Sequence, residues 1–383
     1  MQIALILAAG KGTRMKSKTI KVLHPILGQP MLQWSVDVAR EAGLEPWVVV
    51  GHQEENVRQA MDGQGIHFVR QDVPKGTGHA VQCALQDLPK EGTLLVFFGD
   101  TPLFQAQTLK DLLAFHKGYY ATFLSAKLDD AASYGRIVRD LEGKALRIVE
   151  AANASLEDLS IKEINTGAAV FDLGWLHRVL MDFPSHPPKS EIYLTDALEY
   201  AAKEGKAAAM ILKDKTEADG VNDRGDLAQA TAILQERIIQ KHMRNGVGFE
   251  DPTSNTVEKY VKIENDTWIG RGSILRGESQ IGSDVSIDAY SIVEDCQVAD
   301  GVTIKSHSNC YQAKIGEDSS IGPYARLREG SIIGRNSKIG NFVETKKVTM
   351  GSGAKVSHLT YLGDANIGDN VNVGAGTITC NYD

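Results

Sequence analysis

Aliphatic residues recur every six positions through the second half of the chain, and this spacing restricts the fold more than any other feature. The repeat comprises Ile263, Ile269, Leu275, Ile281, Ile287 and Val293, then Ile315, Ile321, Leu327, Ile333 and Ile339, and finally Ile367 and Val373. An α-helix does not repeat with this period, whereas hexapeptide repeats build a parallel β-helix in which each aliphatic residue stacks on the next coil. The register slips between Val293 and Val298 and between Cys310 and Ile315, which predicts shortened or bulged corners.

The first half has a different sequence pattern, in which short apolar runs alternate with stretches typical of helices. The runs are Ile3–Ala8, Pro46–Val50 and Thr93–Phe98. Strands that alternate with helices predict an α/β domain with a mainly parallel sheet. Ligands of such sheets bind beyond the carboxyl ends of the strands, so the residues that follow each run are the candidates for chemistry.

The chain has 383 residues, which is too many for one ordinary hydrophobic core. We expect an α/β domain over residues 1–223, a linking helix over 224–246 and a β-helix over 247–383. Apolar residues at helical spacing and the closing Asn245-Gly246 mark the linking helix.

Composition excludes several classes of function. The hydrophobic fraction is 42% and the charged fraction 23%, as in ordinary globular proteins. No apolar run approaches the roughly 18 residues that cross a bilayer, so no membrane is expected. The net charge of −8 argues against nucleic-acid binding. The four cysteines are far apart and fit neither a disulfide framework nor a zinc site, which predicts reduced thiols in the cytoplasm.

A cluster of basic residues with no neutralising carboxylate surrounds a glycine-rich loop near the start of the chain. The cluster comprises Lys11, Arg14, Lys16, Lys18 and Lys21. The small residues of the loop would let backbone amides approach phosphate oxygens. Met15 replaces a required glycine in both the dinucleotide fingerprint and the P-loop, so neither motif fits. Charge alone favours a small polyanion and a solvated basic loop about equally.

Two single residues are candidates with two interpretations each. Asp100 follows the run Thr93–Phe98, where a carboxylate is placed for a metal ion, but aspartate is also common in turns of this type. His358 lies beside glycine and polar residues, where a histidine can be a base or an ordinary surface residue. The residues alone leave both alternatives open.

A series of motifs, in order along the whole chain, resembles a known family. In the first half the motifs are LAAGKGTRM at residues 7–15 with Lys21–His24, Gln71 with Gly76–Ala80, Phe98–Pro102, Tyr134–Ile137, Ile148–Glu150, Glu163–Gly167, Glu191–Asp196 and Gly220–Asn222. In the second half they are His358–Asp364 and Gly374–Asp383. The first motif resembles the sugar-nucleotide pyrophosphorylases. The whole set is similar to the bifunctional GlmU family, which joins an N-acetylglucosamine-1-phosphate uridyltransferase to a glucosamine-1-phosphate acetyltransferase.

For the first half, the resemblance implies uridylyl transfer from UTP to N-acetylglucosamine 1-phosphate, giving UDP-N-acetylglucosamine and pyrophosphate. It implies a catalytic role in phosphate binding for Arg14 and Lys21, and Mg²⁺ held by Asp100 and Asn222. The implied nucleotide contacts are Leu7, Ala8, Ala9, Gly10, Gly12, Lys21, Gln71, Gly76 and Thr77. The implied sugar contacts are Gly135, Glu150, Asn165, Tyr193 and Thr195. Direct transfer depends on positioning and charge neutralisation, which suits a half without an evident nucleophile.

For the second half, the resemblance implies a left-handed β-helix, a homotrimer and acetyl-CoA-dependent acetylation of glucosamine 1-phosphate. His358 would deprotonate the attacking amine. The implied sugar-phosphate contacts are Arg328, Lys346, Tyr361 and Asn372, and the implied acetyl-CoA contacts are Ala375, Asn381 and Tyr382. The family continues with further coils after the position of Asp383, so we expect acetyl transfer to be impaired in a chain of this length.

Two other functions fit part of the pattern. One is a monofunctional sugar-1-phosphate nucleotidyltransferase whose β-helix serves only for oligomerisation, and the segment His358–Asp364 argues against it. The other is a non-catalytic nucleotide-sugar sensor. A sensor would not need Arg14, Lys21, Asp100 and Asn222 together.

Overall fold

The computed structural model describes residues 2–188 and 190–380, and the chain divides into two compact units. The first unit is Met1–Ala230 and the second is Thr231–Asp383. The division falls inside one long helix, Arg224–Arg244, so this helix belongs to both units. Within the described residues, no helix is both long enough and apolar enough to cross a membrane.

A sheet of nine strands forms the centre of the first unit. The strands of this unit are β1 (Gln2–Leu7), β2 (Pro25–Ile26), β3 (Gln29–Pro30), β4 (Glu45–Val50), β5 (His67–Arg70), β6 (Thr93–Phe98), β7 (Ala121–Lys127), β8 (Arg136–Arg139), β9 (Ala145–Val149), β10 (Glu163–Asp172), β11 (Ser185–His186), β12 (Glu191–Ile192) and β13 (Ala207–Ile211). The helices are α1 (Met31–Glu41), α2 (Glu54–Ala60), α3 (Thr77–Leu85), α4 (Ala106–Phe115), α5 (Leu156–Leu159), α6 (Leu173–Val179), α7 (Asp196–Lys203) and the shared α8 (Arg224–Arg244). Short 3₁₀ helices lie at Thr13–Met15, Lys21–Leu23, Ala151–Asn153, Leu180–Asp182 and Lys215–Ala218.

The sheet is mainly parallel, as the alternating runs predict. Its order is β13-β7-β10-β6-β1-β4-β5, and β10 runs antiparallel to both β6 and β7. The central strand β1 is apolar on both faces: Ile3 and Leu5 pack into one core cluster, Ala4 and Ile6 into the other. Because β6, β1, β4 and β5 are mutually parallel, their carboxyl ends meet at one edge of the sheet. The loops that follow these strands therefore lie side by side.

The second unit is a parallel β-helix, as the six-residue repeat predicts; its hand stays a prediction. Its strands are β14 (Gly248–Phe249), β15 (Thr256–Val257), β16 (Lys262–Ile263), β17 (Trp268–Ile269), β18 (Ile274–Arg276), β19 (Gln280–Ile281), β20 (Ser286–Ile287), β21 (Ile292–Glu294), β22 (Gln297–Val298), β23 (Thr303–Ile304), β24 (Asn309–Tyr311), β25 (Lys314–Ile315), β26 (Ser320–Ile321), β27 (Arg326–Leu327), β28 (Ile332–Ile333), β29 (Lys338–Lys346), β30 (Thr349–Met350), β31 (Lys355–Gly363), β32 (Asn366–Ile367) and β33 (Asn372–Val373). One sheet contains seven of them, β16, β19, β22, β25, β28, β30 and β32. One strand of this sheet comes from each coil.

The aliphatic residues of the repeat form the core of the β-helix. The three-residue stack Ile304, Ile321 and Ile339 is typical: these residues pair in register across successive coils and are 0% exposed. At the end of the repeat, Ile367 and Val373 are partly buried against the same core. Stacked aliphatic side chains thus supply the apolar burial that holds the coils together.

The slips in the repeat are shortened corners. Residues 277–279 connect β18 to β19, whereas only residues 295–296 connect β21 to β22 one coil later, and only 312–313 connect β24 to β25. Asp295 and Gln312 open these short corners with φ angles of 52° and 47°. Gly277 opens the longer corner with a φ of 63°, so a left-handed residue begins corners of both lengths.

Candidate active sites

The loop after β1 presents unpaired backbone amides. Gly12 has a φ of 58°, and a Cβ at this position would lie 2.5 Å from the Cβ of Lys21, so the turn requires glycine. The backbone N–H groups of residues 9–12 donate to no acceptor within the described part of the chain. Free amides at the carboxyl end of a central parallel strand form an arrangement that binds phosphate oxygens.

The four residues predicted to bind phosphate and metal lie in two pairs beside this loop. The ammonium group of Lys21 forms a salt bridge with the carboxylate of Asp100, which follows β6. The guanidinium group of Arg14 donates to Oδ1 of Asn222 at 2.7 Å. The sequence separates these partners by 79 and 208 residues, so the sheet topology brings them together.

The turn Gly220–Asn222 is fixed against Asp100 by the backbone. The N–H of Val221 donates to the carbonyl oxygen of Asp100 at 2.8 Å, and the N–H of Asn222 donates to Oδ2 of Asp226 at 2.8 Å. Sequence reasoning missed Asp226. Asp226 could have been predicted from its position at the start of α8, four residues after Asn222, since carboxylates commonly accept backbone N–H groups at helix starts.

The surroundings of Asp100 and Asn222 suit a hard cation. Burial raises the pKa of Tyr134, and the nearby negative charges of Asp219, Asp226 and Asp100 raise it further. Across residues 2–188 and 190–380, no group of three or more His, Cys, Asp or Glu side chains could hold a metal by itself. The oxygens of Asp100 and Asn222 already bind cationic side chains, and such oxygens fit Mg²⁺ when a substrate supplies further ligands.

A cleft of about 370 Å³ opens beside the loop and contains the predicted nucleotide contacts. All nine of them line it: Leu7, Ala8, Ala9, Gly10, Gly12, Lys21, Gln71, Gly76 and Thr77. Asp100 and Tyr193 line it as well, together with residues that the sequence did not assign as nucleotide contacts, among them Val22, Val49, Pro74, Ala80, Phe98 and Glu191. The cleft thus runs from the loop after β1 to the loop after β5.

Close packing fixes the wall of the cleft at Gly76 and Thr77. Gly76 has a φ of 96°, and any side chain there would overlap the backbone of Ile192. Oγ1 of Thr77 accepts from the N–H of Leu194 at 3.0 Å. Thr77 begins α3, so this contact joins the start of the helix to the segment after β12.

Four of the five predicted sugar contacts form a connected group. Oγ1 of Thr195 donates to Oε1 of Glu150 at 3.0 Å, and the N–H of Asn165 donates to the carbonyl oxygen of Gly135 at 2.9 Å. A Cβ on Gly135 would lie 3.4 Å from Oε2 of Glu150. Burial raises the pKa of the Glu150 carboxyl, while the hydrogen bond from Thr195 lowers it.

Tyr193, the fifth predicted sugar contact, lines the nucleotide cleft. Its ring stacks on the imidazole of His186 with 4.5 Å between the centroids. His186 Nε2 lies 2.8 Å from Oδ2 of Asp196 at the start of α7. This contact fixes the aromatic face of the cleft near Thr195.

In the β-helix, Arg328, Lys346 and Tyr361 lie on neighbouring coils of one face. Arg328 Nη1 donates to Oε1 of Glu344 at 3.0 Å, and Glu344 pairs in register with Tyr361. Lys346 Nζ lies 3.9 Å from Oε1 of Glu329. Sequence reasoning missed the two glutamates, although Glu344 follows Arg328 by 16 residues, which is close to one coil.

The other predicted acetyltransferase residues lie on β31, on β33 and just after β33. His358 is exposed on β31, the strand of Tyr361, and pairs in register with Asn341. Asn372 pairs with Lys355 on the next coil, and Ala375 follows it. No hydrogen bond or ion pair between described residues joins His358 or Asn372 to Arg328 or Lys346. Asn381 and Tyr382, which were predicted to contact acetyl-CoA, lie outside the described residues.

Comparisons with known proteins cover both units. The sequence profile of the MobA-like NTP transferase domain matches residues 4–215, and that of the GMPPB C-terminal domain matches residues 257–346. The bifunctional protein GlmU of Pelobacter propionicus is 46% identical over 99% of this chain and 84% of its own length. The bifunctional protein GlmU of Trichlorobacter lovleyi is 47% identical over 99% of this chain and 84% of its own length. The bifunctional protein GlmU of Brevibacillus brevis is 46% identical over 99% of this chain and 83% of its own length. The chain belongs to the bifunctional GlmU family.

Proposed function

We propose that the first unit transfers a uridylyl group from UTP to N-acetylglucosamine 1-phosphate, and that the second unit acetylates glucosamine 1-phosphate with acetyl-CoA. One observation carries the first activity: the pairs Arg14–Asn222 and Lys21–Asp100 lie beside the free amides of residues 9–12. A triphosphate requires both amide donors and cations, and this arrangement supplies them together.

In the proposed reaction, a phosphate oxygen of the sugar phosphate attacks the α-phosphorus of UTP, and the bond to the departing pyrophosphate breaks. Arg14 and Lys21 would neutralise the charge that develops on the phosphate oxygens. The two cations lie next to the amides of the loop after β1, so they can bind the phosphates of the same nucleotide. Positioning of this kind needs no protein nucleophile.

Asp100 and Asn222 would hold Mg²⁺, which when bound would neutralise phosphate charge. The connected group around Glu150 would bind the hydroxyl and acetamido groups of the sugar. Thr195 Oγ1 fixes one oxygen of Glu150, which leaves the other for the substrate. Gln71, Gly76 and Thr77 would contact the uracil.

For the second activity, His358 would accept a proton from the glucosamine amine as the amine attacks the acetyl carbonyl, and the CoA thiol would leave. Arg328 and Lys346 would bind the sugar phosphate, with Tyr361 and Asn372 nearby; Ala375 would contact the acetyl donor. The cationic groups of Arg328 and Lys346 face one coil surface, which supports this assignment. A monofunctional enzyme is not favoured, because relatives named bifunctional match both units.

A homotrimer is a further part of the proposal, since a β-helix presents flat sides that pair with copies of themselves. A native mass equal to one chain at assay concentration would refute it. We also propose a cytoplasmic location, which the four free cysteines support.

The test of the uridylyl activity is pyrophosphate release from UTP with a panel of sugar 1-phosphates. We expect N-acetylglucosamine 1-phosphate to give the highest kcat/KM. Equal use of unrelated sugar 1-phosphates, or no pyrophosphate at all, would refute the assignment. Free-thiol release from acetyl-CoA with glucosamine 1-phosphate tests the second activity in the same preparation.

A further inference from the structure

The side-chain amide of Gln71 is held by two acceptors in the wall of the cleft. Nε2 donates to the carbonyl oxygen of Gly76 at 3.2 Å and lies 3.0 Å from Nδ1 of His79. The backbone is fixed as well, since the N–H of Gln71 donates to the carbonyl oxygen of Val50 at 2.8 Å. Both amide hydrogens of Gln71 are thus used, whereas Oε1 accepts from no residue in the described part of the chain.

With the Gln71 amide in this orientation, the contact requires an unprotonated Nδ1 on His79. An amide nitrogen only donates, so Nδ1 of His79 accepts, and the imidazole is neutral with its proton on Nε2. Burial lowers the pKa of His79, and the positive charge of Lys75 lowers it further, which favours the neutral ring. Cys83 lies one turn along α3 with Sγ 3.9 Å from both ring nitrogens, so the ring is also packed in place.

The opposite orientation of the Gln71 amide is disfavoured. It would place Oε1 against the Gly76 carbonyl oxygen, which can only accept, and would leave at most one hydrogen bond, from Nδ1 of His79 in its other tautomer, where the observed orientation makes two. A buried acceptor without a donor costs more free energy than one net hydrogen bond provides. Gly76 and His79 together therefore keep Oε1 of Gln71 available to a ligand.

We propose that His79 is a specificity-determining positioning residue, which accepts from Gln71 Nε2 and so presents Oε1 as an acceptor for the imide N–H of uracil. The proposal rests on the proposed uridylyl transfer. Uracil places this donor next to a carbonyl oxygen, and the backbone N–H of Gly76, which donates to no described residue, complements that oxygen. Cytosine places an acceptor and an amino group at the same positions, so both contacts would be mismatched.

The test compares kcat/KM for UTP and CTP in the full chain. His79→Leu keeps a side chain of similar bulk but removes the acceptor, and we expect the UTP:CTP ratio to fall about tenfold, the size of one net hydrogen bond. His79→Asn places Oδ1 near the position of Nδ1, and we expect it to keep the ratio within about twofold. Cys83→Ala, which changes only the packing around the ring, should also keep the ratio.

Thermal melting shows whether each variant is folded; if His79→Leu does not fold, His79→Ala removes the same acceptor. An unchanged ratio in a folded His79→Leu protein would overturn the proposal. So would an equal loss for both nucleotides, because that result indicates a structural role alone. A failure of the proposed function looks different: the unsubstituted protein would then release no pyrophosphate from UTP.

Discussion

The two units place their candidate site residues by different means. In the α/β unit, Arg14 reaches Asn222 across 208 positions of sequence and Lys21 reaches Asp100 across 79. In the β-helix, Arg328 reaches Glu344 across only 16. The first site depends on the strand order of a whole sheet, whereas the second depends on the length of one coil. A substitution in the α/β unit can therefore act on a partner that is remote in sequence, whereas a substitution in the β-helix acts on the neighbouring coils.

The largest change in activity is expected for His358→Ala, which tests whether the two units act separately. Loss of a general base should lower acetyl transfer about a thousandfold, while uridylyl transfer should stay within about twofold, because His358 lies in the other unit. Thiol release and pyrophosphate release in one preparation measure both rates. His307→Ala is the control, since His307 is also exposed on the coils. Equal acetylation by the two variants would remove His358 from the mechanism.

The next largest effect is expected for Asp100→Ala. Uridylyl transfer should fall at least about a hundredfold, because one preorganised electrostatic group is lost and Lys21 loses its partner. Acetyl transfer should not change. Asp129→Ala serves as the control, since the Asp129 side chain is 93% exposed. Near-normal pyrophosphate release by Asp100→Ala would show that the site does not depend on this carboxylate.

A smaller effect concerns acid stability, where the buried polar groups of the two units differ. Burial lowers the pKa of His116 to about 4, and His116 Nδ1 lies 2.9 Å from Thr122 Oγ1. In the second unit burial also lowers the pKa of His242, which lies on α8, whereas within the described residues 247–380 the buried polar side chains are serine, threonine and asparagine.

Because the pKa of His116 is lower in the folded state, its contribution is complete above about pH 6.5 and is lost as the pH falls towards about 4. The α/β unit should therefore lose about 2 kcal/mol between pH 7 and pH 5 from this group. Hydrogen exchange of the strand Ala121–Lys127 measures the loss, and His116→Asn should abolish it. A pH dependence that persists in His116→Asn would assign it to other groups.

The smallest effect is expected for Gly12→Ala. The added methyl group would press on Lys21 Cβ, at a φ of 58°, so uridylyl kcat/KM should fall about tenfold through strain and displacement of Lys21. Gly65→Ala is a matched control: its φ is 59° and no atom lies within 4 Å of the new Cβ. If both variants lose the same activity, backbone strain rather than the position of Lys21 explains the loss.

The β-helix was the more predictable unit, for a physical reason. Its core residues repeat every six positions between the slips, so the buried positions from Ile263 to Val293 and from Ile315 to Ile339 follow from counting. In the α/β unit the apolar runs locate β1, β4 and β6, but they do not determine the order of the strands in the sheet. The antiparallel direction of β10 could not be predicted, because its pairing partners are remote in sequence.

The candidate sites show the same limit. The glycine-rich loop and Asp100 are recognisable because each follows an apolar strand. The contact between Arg14 and Asn222, and the role of Asp226 in fixing that turn, depend on tertiary structure. Asn222 was predicted as a metal ligand only from the resemblance to a family, since an asparagine by itself does not indicate a metal site.

The short corners of the β-helix have a consequence for comparing and altering such chains. The flat sides keep their length because each inward residue must meet its counterpart in the next coil, while residues 277–279 and 295–296 turn equivalent corners with different lengths. Gaps in an alignment of repeat sequences therefore belong at corners. A one-residue deletion placed within 277–279 keeps every later side chain on its own face. The same deletion within a flat side such as 286–287 would turn inward residues outward from that point to the next corner.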